Sequence, residues 1–191
     1  MSDADQDLAA RLTEHVRCTL LPLVGDAEIG SLRRYQALDR TYELVNEVLR
    51  AERRPDELSN DELVAVRALV RDLDGLLARW RTPEPVRVYR GLRSRVGFDV
   101  DVSPAVSRSF LSTTVFRDVA IGEFTVPPGP GGPALLEIDV PAGTPGVWVP
   151  PLGDPALAYQ GELLLGREVR LAVRDSGVEA GILVVDCEVE P

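Results

Sequence analysis

With 191 residues, a formal net charge of −10, 45% hydrophobic and 27% charged residues, the chain fits one domain, or one domain with a helical subdomain. Such a chain buries roughly 70% of its unfolded surface without a disulfide or metal staple. The acidic balance argues against a nucleic-acid face, and no apolar run approaches the roughly 20 residues of a membrane span. All 21 basic residues are arginines, so any anion site must use guanidinium groups or backbone amides. His15 is the single histidine. That excludes a Ser-His-Asp triad unless His15 itself serves, and a packing or surface role in the first helix is expected. Cys18 and Cys187 are expected to be buried, reduced thiols. The acidic start, Met1 to Asp5, lacks the basic-then-apolar order of a signal peptide. A cytoplasmic chain is expected, or one exported by a route the sequence does not show.

Leu8, Leu12, Val16 and Leu20 predict a helix over 4–22, ended by Pro22. A second helix is predicted over 31–53, with Ser31 as N-cap. Its core face is Tyr35, Leu38, Tyr42, Val45 and Leu49, and beside it runs an edge of Tyr42, Asn46 and Arg50 at spacing four. Ser59-Asn60-Asp61-Glu62 is a capping box for a third helix. Leu63, Val66, Val70, Leu73, Leu77 and Trp80 mark that helix's apolar face, and Pro83 and Pro85 stop it. The first 80 residues therefore read as three helices without a strand.

After Pro85 the pattern changes. Val86 to Arg90 alternates and breaks at Gly91, which predicts a strand. Ser107 to Thr114 is a second strand candidate and 119–124 a short helix. The Pro/Gly tract 127–133 is a loop. Strands follow at 134–140 and 147–149. The loop 150–158 leads into Gln160-Gly161-Glu162, and Leu163 to Val173 reads as a hairpin. Asp175-Ser176-Gly177 is a turn, and Ile182 to Val189 is the last strand. The fold class is α+β, with about six to eight short, mainly antiparallel strands.

Gln160 and Glu162 stand two apart before an apolar run, so on one strand they would share a face. Taken singly, Arg90, Ser112 and Glu162 could each be an ordinary strand side chain. In sequence order, Tyr89-Arg90-Gly91, Ser112-Thr113-Thr114 and Gln160-Gly161-Glu162 resemble the arginine–serine–glutamate class of mono-ADP-ribosyltransferases. That class includes Rho-modifying exoenzymes and actin-modifying binary toxins. Tyr42-x-x-x-Asn46-x-x-Leu49-Arg50 is similar to the family's helical NAD-contacting segment. Glu137 to Gly146 is similar to the strand and turn before its catalytic loop.

The resemblance implies one ADP-ribosyltransferase domain over 1–191, with a helical lobe at 1–82 and a two-sheet β-sandwich core at 83–191. It implies NAD as co-substrate, no metal, a protein target and a monomer. It casts Glu162, Ser112 and Gln160 as catalytic. Arg90, Gly91, Arg50, Asn46, Thr113, Phe116 and Arg117 would bind NAD, and Gln160 and Tyr159 would meet the acceptor. Glutamate in place of Gln160 goes with arginine acceptors in the family, whereas glutamine goes with asparagine acceptors or others. The chemistry agrees. Breaking the nicotinamide–ribose bond develops an oxocarbenium-like charge that a fixed carboxylate stabilises, and a pyrophosphate suits bidentate arginines. NAD glycohydrolysis, and a non-catalytic module that binds NAD or a partner, remain the alternatives.

Overall fold

The computed structural model describes residues 2–37, 39, 41–96 and 103–190. Four α-helices come first: α1 (Asp3–Thr19), α2 (Asp26–Gln36), α3 (Thr41–Leu49) and α4 (Asn60–Arg79). Ser2 and Asp5 close a capping box on α1, and Leu12 and Val16 face inward. On α4 the Ser59–Glu62 box forms as its residue types require, and Val66, Leu69, Leu73, Leu76 and Leu77 are buried.

The single helix predicted over 31–53 is two helices. Ala37 is extended, and the Asp39 carboxylate accepts from the Thr41 N–H at 3.0 Å, a local cap that competes with helix continuation. Gly25, not Ser31, caps α2; the Ser31 hydroxyl instead donates to Asp72 at 2.7 Å and ties α2 to α4. Leu38 lies outside the described residues.

The strands are β1 (Val86–Leu92), β2 (Ala105–Ser107), β3 (Leu111–Thr114), β4 (Ala134–Val140), β5 (Gly146–Trp148), β6 (Glu162–Leu165), β7 (Val169–Glu179) and β8 (Ile182–Val189), with α5 (Arg117–Phe124) after β3. They form a mixed sheet in the order β2-β7-β8-β4-β1-β3-β6-β5, in which, among the described residues, only β4 and β8 run parallel. Several expectations are corrected. The 107–114 stretch is split between β2 and β3. β6 and β7 are no hairpin: β6 lies between β3 and β5, and β7 between β2 and β8. The expected turn at 175–177 is inside β7, next to an irregularity between Val173 and Asp175, and the reversal comes at Ala180-Gly181, where φ is +48° and +83°.

The two expected sheets are joined through a single register pair. β1 runs along β4 to Leu92 but meets β3 only at Tyr89↔Thr114. Beyond that point the halves β2-β7-β8-β4-β1 and β3-β6-β5 diverge, and Arg90 to Leu92 follow on β1 where the gap opens.

The helical residues cover the smaller half. Trp148 is buried and its indole N–H donates to Thr13 at 2.8 Å. Leu163, Leu164 and Leu165 are fully buried, as suits an interior strand. His15 packs edge-on against Trp80 at 5.9 Å between centroids. Both cysteines are free; Cys187 is buried as expected, whereas Cys18 is exposed and its thiol donates to Glu14. Among the described residues no helix is long and apolar enough to cross a membrane.

α5 lies directly on β1. A Cβ at Gly91 would stand 2.2 Å from the Ala120 carbonyl oxygen and 2.8 Å from the Phe124 Cβ. Only a residue without a side chain permits this approach. Gly91→Ala is expected to destabilise the fold by about 1–3 kcal/mol through overpacking, lowering the melting temperature by about 2–4 °C per kcal/mol for a chain of this size. Differential scanning calorimetry checks it.

Candidate active site

The gap between the sheet halves is floored by β3. Ser112 is part-buried there, while its neighbours Thr113 and Thr114 are buried. The Thr113 hydroxyl donates to the Leu163 carbonyl at 2.6 Å and that of Thr114 to the Gln160 carbonyl at 2.5 Å. Thr113 holds β3 against β6 and Thr114 holds it against the turn before β6, so Thr113 is not turned toward the cavity. The Ser112 hydroxyl donates to Glu162 Oε1 at 2.5 Å, and the Ser112 carbonyl accepts from Arg90 Nη1 at 2.7 Å. Arginine, serine and glutamate, predicted from three separate strands, are therefore one hydrogen-bonded chain.

Glu162 is 8% exposed. Its second carboxylate oxygen accepts from the Gln36 side-chain amide at 2.9 Å, and the Gln36 carbonyl accepts from the Asp154 N–H at 2.9 Å. Arg33 adds a bond to the Gly153 carbonyl at 3.1 Å. The end of α2 thus grips the loop before Glu162 and the carboxylate itself. Burial pushes the Glu162 carboxyl above its usual range, against the hydrogen bonds from Ser112 and Gln36 and the charge of Arg90.

Gln160 and Glu162 do not share a strand face. Gly161 between them is left-handed, with φ +55° and ψ +49°, and β6 begins only at Glu162. Glu162 turns inward, whereas the Gln160 amide donates to Glu123 on α5 at 3.0 Å. Tyr159, 56% exposed, donates from its hydroxyl to the same Glu123 oxygen at 3.2 Å.

A cavity of about 340 Å³ adjoins this chain, lined by Arg50, Glu52, Arg90, Arg108, Ser109 and Leu111 among others. Arg50 pairs with Glu52 through two nitrogens at 2.9 Å each. Burial draws the Arg90 guanidinium below its usual range, Tyr35 counters it, and the charge of Arg50 adds to the lowering. Asn46 is buried beneath, exchanging hydrogen bonds with the Tyr35 hydroxyl at 3.1 and 3.3 Å. Of the predicted edge, Asn46 is buried, whereas Tyr42 and the Arg50 side chain remain exposed.

Two more predicted contacts, beside Thr113, are not brought here. Phe116 is buried, and its ring fills the space where a Gly161 side chain would stand, 2.4 Å from an added Cβ. Arg117 donates to Glu137 at 2.8 Å and to Glu179 at 2.6 Å, within a charge network that includes Arg87, Asp139 and Asp186. The loop after β3 is too short to carry either side chain back, because α5 begins at Arg117. Sequence reasoning missed Gln36, Arg108 and Glu123. Gln36 and Glu123 reach the site from elements far away in sequence, and Arg108, though only four residues before Ser112, carries no signal of its own there.

A sequence profile of the ADP-ribosyltransferase exoenzyme family matches residues 7–183. The chain belongs to this family. Among solved structures, Vis toxin, an ADP-ribosyltransferase from Vibrio splendidus also solved in complex with agmatine, superposes with TM-score 0.74 at 15% identity, covering 100% of this chain and 87% of that one. The Clostridium limosum C3 exoenzyme superposes with TM-score 0.73 at 15% identity, covering 100% and 96%. C3stau2 from S. aureus, solved with NAD, superposes with TM-score 0.69 at 17% identity, covering 96% and 95%. A comparison with curated protein sequences finds no match. Membership makes the chain an enzyme, an NAD-dependent mono-ADP-ribosyltransferase.

A carboxyl whose folded pKa lies above its unfolded value of about 4.3 binds more proton in the folded state between those two values, so it costs stability once ionised. Burial places Glu162 in that case. Glu162→Gln is therefore expected to be more stable than the parent at pH 7, with the gain fading as pH falls toward about 4. Urea denaturation across pH checks it. Gln36 stabilises the ionised form, so Gln36→Ala should move the acid limb of nicotinamide release to higher pH, read from initial rates in a pH series.

Proposed function

We propose that the chain breaks the nicotinamide–ribose bond of NAD at Glu162 and delivers the ADP-ribosyl group to a side chain of a protein target. The observation that carries this reading is the buried Glu162 carboxylate, held by Ser112 and Gln36 and joined through Ser112 to an arginine-lined cavity. A carboxylate so fixed needs no reorganisation when positive charge develops on the ribose, and water exclusion strengthens the interaction.

Roles follow from position. Glu162 faces the ribose, and Ser112 fixes one of its oxygens. Arg90 and Arg50, with Arg108 added from the cavity wall, take the pyrophosphate. Arg50 is already paired with Glu52, so phosphate binding exchanges one anion for another. Gly91, beside the opening between β1 and β3, offers backbone to the nicotinamide carboxamide. Asn46 acts beneath Arg50, where it fixes Tyr35 and the floor of the cavity. NAD as the donor is supported by the S. aureus relative, which was solved with NAD. Tyr159 and Gln160 lie at the outer rim, where an acceptor protein would approach.

The test is intact-mass spectrometry of target proteins incubated with the chain and NAD, alongside chromatography of released nicotinamide. The parent is expected to release nicotinamide and add one ADP-ribosyl mass to a target. Glu162→Ala should lower both rates by about 10²–10³-fold, the range for losing one preorganised electrostatic group. Cleavage of NAD by Glu162→Ala at the parent's rate would contradict the reading. Arg90→Ala should instead raise the KM for NAD more than it lowers kcat, because it removes a contact made in ground and transition states alike.

A further inference from the structure

Glu123 stands in an unusual place for a carboxylate in this chain. It lies near the end of α5, the helix packed on β1, and is only half-exposed. One of its oxygens, Oε2, accepts from both the Gln160 amide at 3.0 Å and the Tyr159 hydroxyl at 3.2 Å. Its other oxygen has no hydrogen bond among the described residues, and no arginine pairs with it there. The carboxylates on the far side of α5 are different. Glu137, Glu179, Asp139 and Glu188 are each paired with Arg87, Arg117 or Arg174. Even the arginine of α5 itself, Arg117, is turned to that side.

The arrangement reverses what Gln160 alone suggests. An amide in that position would meet an acceptor as a neutral group. Here one N–H of its amide is bonded to Glu123, so the charged group presented at the rim beside Gln160 is a fixed carboxylate. Two neutral donors hold it without cancelling its charge. A planar cation with paired N–H donors is the side chain that best matches a carboxylate of fixed orientation, through parallel charge-assisted bonds. The exposed Tyr159 ring beside it offers a face on which such a plane can stack. A carboxamide acceptor carries no charge to complement it.

We propose that Glu123 is the acceptor-selecting residue of this enzyme and that the acceptor it selects is a guanidinium, an arginine side chain of the target protein. The proposal rests on Glu162 cleaving NAD as set out above. In the transfer, the C1′–N bond to nicotinamide breaks and its electron pair returns to the pyridinium nitrogen, so nicotinamide leaves neutral. One guanidinium nitrogen gives its proton to the Glu123 carboxylate and its lone pair forms the new bond to C1′. The product keeps the single positive charge of the guanidinium, and Glu123 later releases the proton to water.

The experiment uses the full chain, NAD and three small acceptors in parallel: agmatine for the guanidinium, butylamine for a simple ammonium and butyramide for a carboxamide. ADP-ribosylated acceptor and total nicotinamide are both quantified by liquid chromatography and mass spectrometry. The parent is expected to label agmatine in preference to the other two. In Glu123→Gln, the ratio of labelled agmatine to total nicotinamide should fall at least tenfold, with a raised KM for agmatine. Because the ratio is taken within one preparation, a loss of folded protein does not produce it. An unchanged ratio in Glu123→Gln overturns the proposal, as does preferential labelling of butyramide by the parent. So does loss of nicotinamide release in a Glu123→Gln protein of parental melting temperature, which would move Glu123 to the donor side. A parent that releases no nicotinamide at all overturns the underlying reading of Glu162 and this proposal with it.

Discussion

The structure depends on keeping one carboxylate, that of Glu162, out of water. An ionised carboxylate taken from water costs several kcal/mol unless hydrogen bonds and charge compensate it. The compensation comes from three places: the Ser112 hydroxyl on β3, the Gln36 amide at the end of α2, and the guanidinium of Arg90 on β1. None is supplied by β6 itself, so the helices and both sheet halves must be assembled before Glu162 is satisfied. Even then burial wins and its carboxyl stays above the usual range. Stability lost at this position is the expected cost of a site kept charged and dry.

Close backbone approach sets the rest of the geometry. The missing side chain of Gly91 lets α5 lie on β1, and the missing side chain of Gly161 leaves room for the Phe116 ring under the turn before Glu162. Together these bring α5 beside the rim of the cleft. The opening itself follows from sheet register, because β1 and β3 share only the Tyr89↔Thr114 pair before diverging. The helical lobe and the split sheet therefore wall the cavity, and α5 meets the site through Glu123 beside Tyr159 and Gln160.

Much of this was legible in the sequence. The arginine, serine and glutamate elements could be found because each sits on a short strand with clear turn signals around it, and their order is specific. The Ser59–Glu62 box is local chemistry, and it formed as read. What was not legible is tertiary. Gln36 looks like a helix-end glutamine until α2 ends there and points it across the molecule at Glu162. Glu123 looks like a solvated helix residue until α5 docks beside Gln160. Gln160 and Glu162 seemed to share a face because period-two reasoning assumes a strand, and a left-handed Gly161 breaks that period. Arg117 and Phe116 followed the serine motif in sequence, but helix formation directly after β3 sends one into a charge network and the other into the core. The supposed hairpin from Leu163 failed for a related reason. Adjacent apolar runs suggest pairing, yet the interior position of β6 is already filled on both sides by β3 and β5.

The central claim is that Glu162 faces the ribose whose bond breaks while Arg50 and Arg90 hold the pyrophosphate. A crystal structure of the chain with NAD tests it most directly. It is expected to show a hydroxyl of the nicotinamide ribose within about 2.6–3.2 Å of a Glu162 carboxylate oxygen, and the pyrophosphate on Arg50 and Arg90. NAD bound with its nicotinamide ribose away from Glu162, or its pyrophosphate on Arg87 and Arg174 at the opposite part of the sheet, would contradict it.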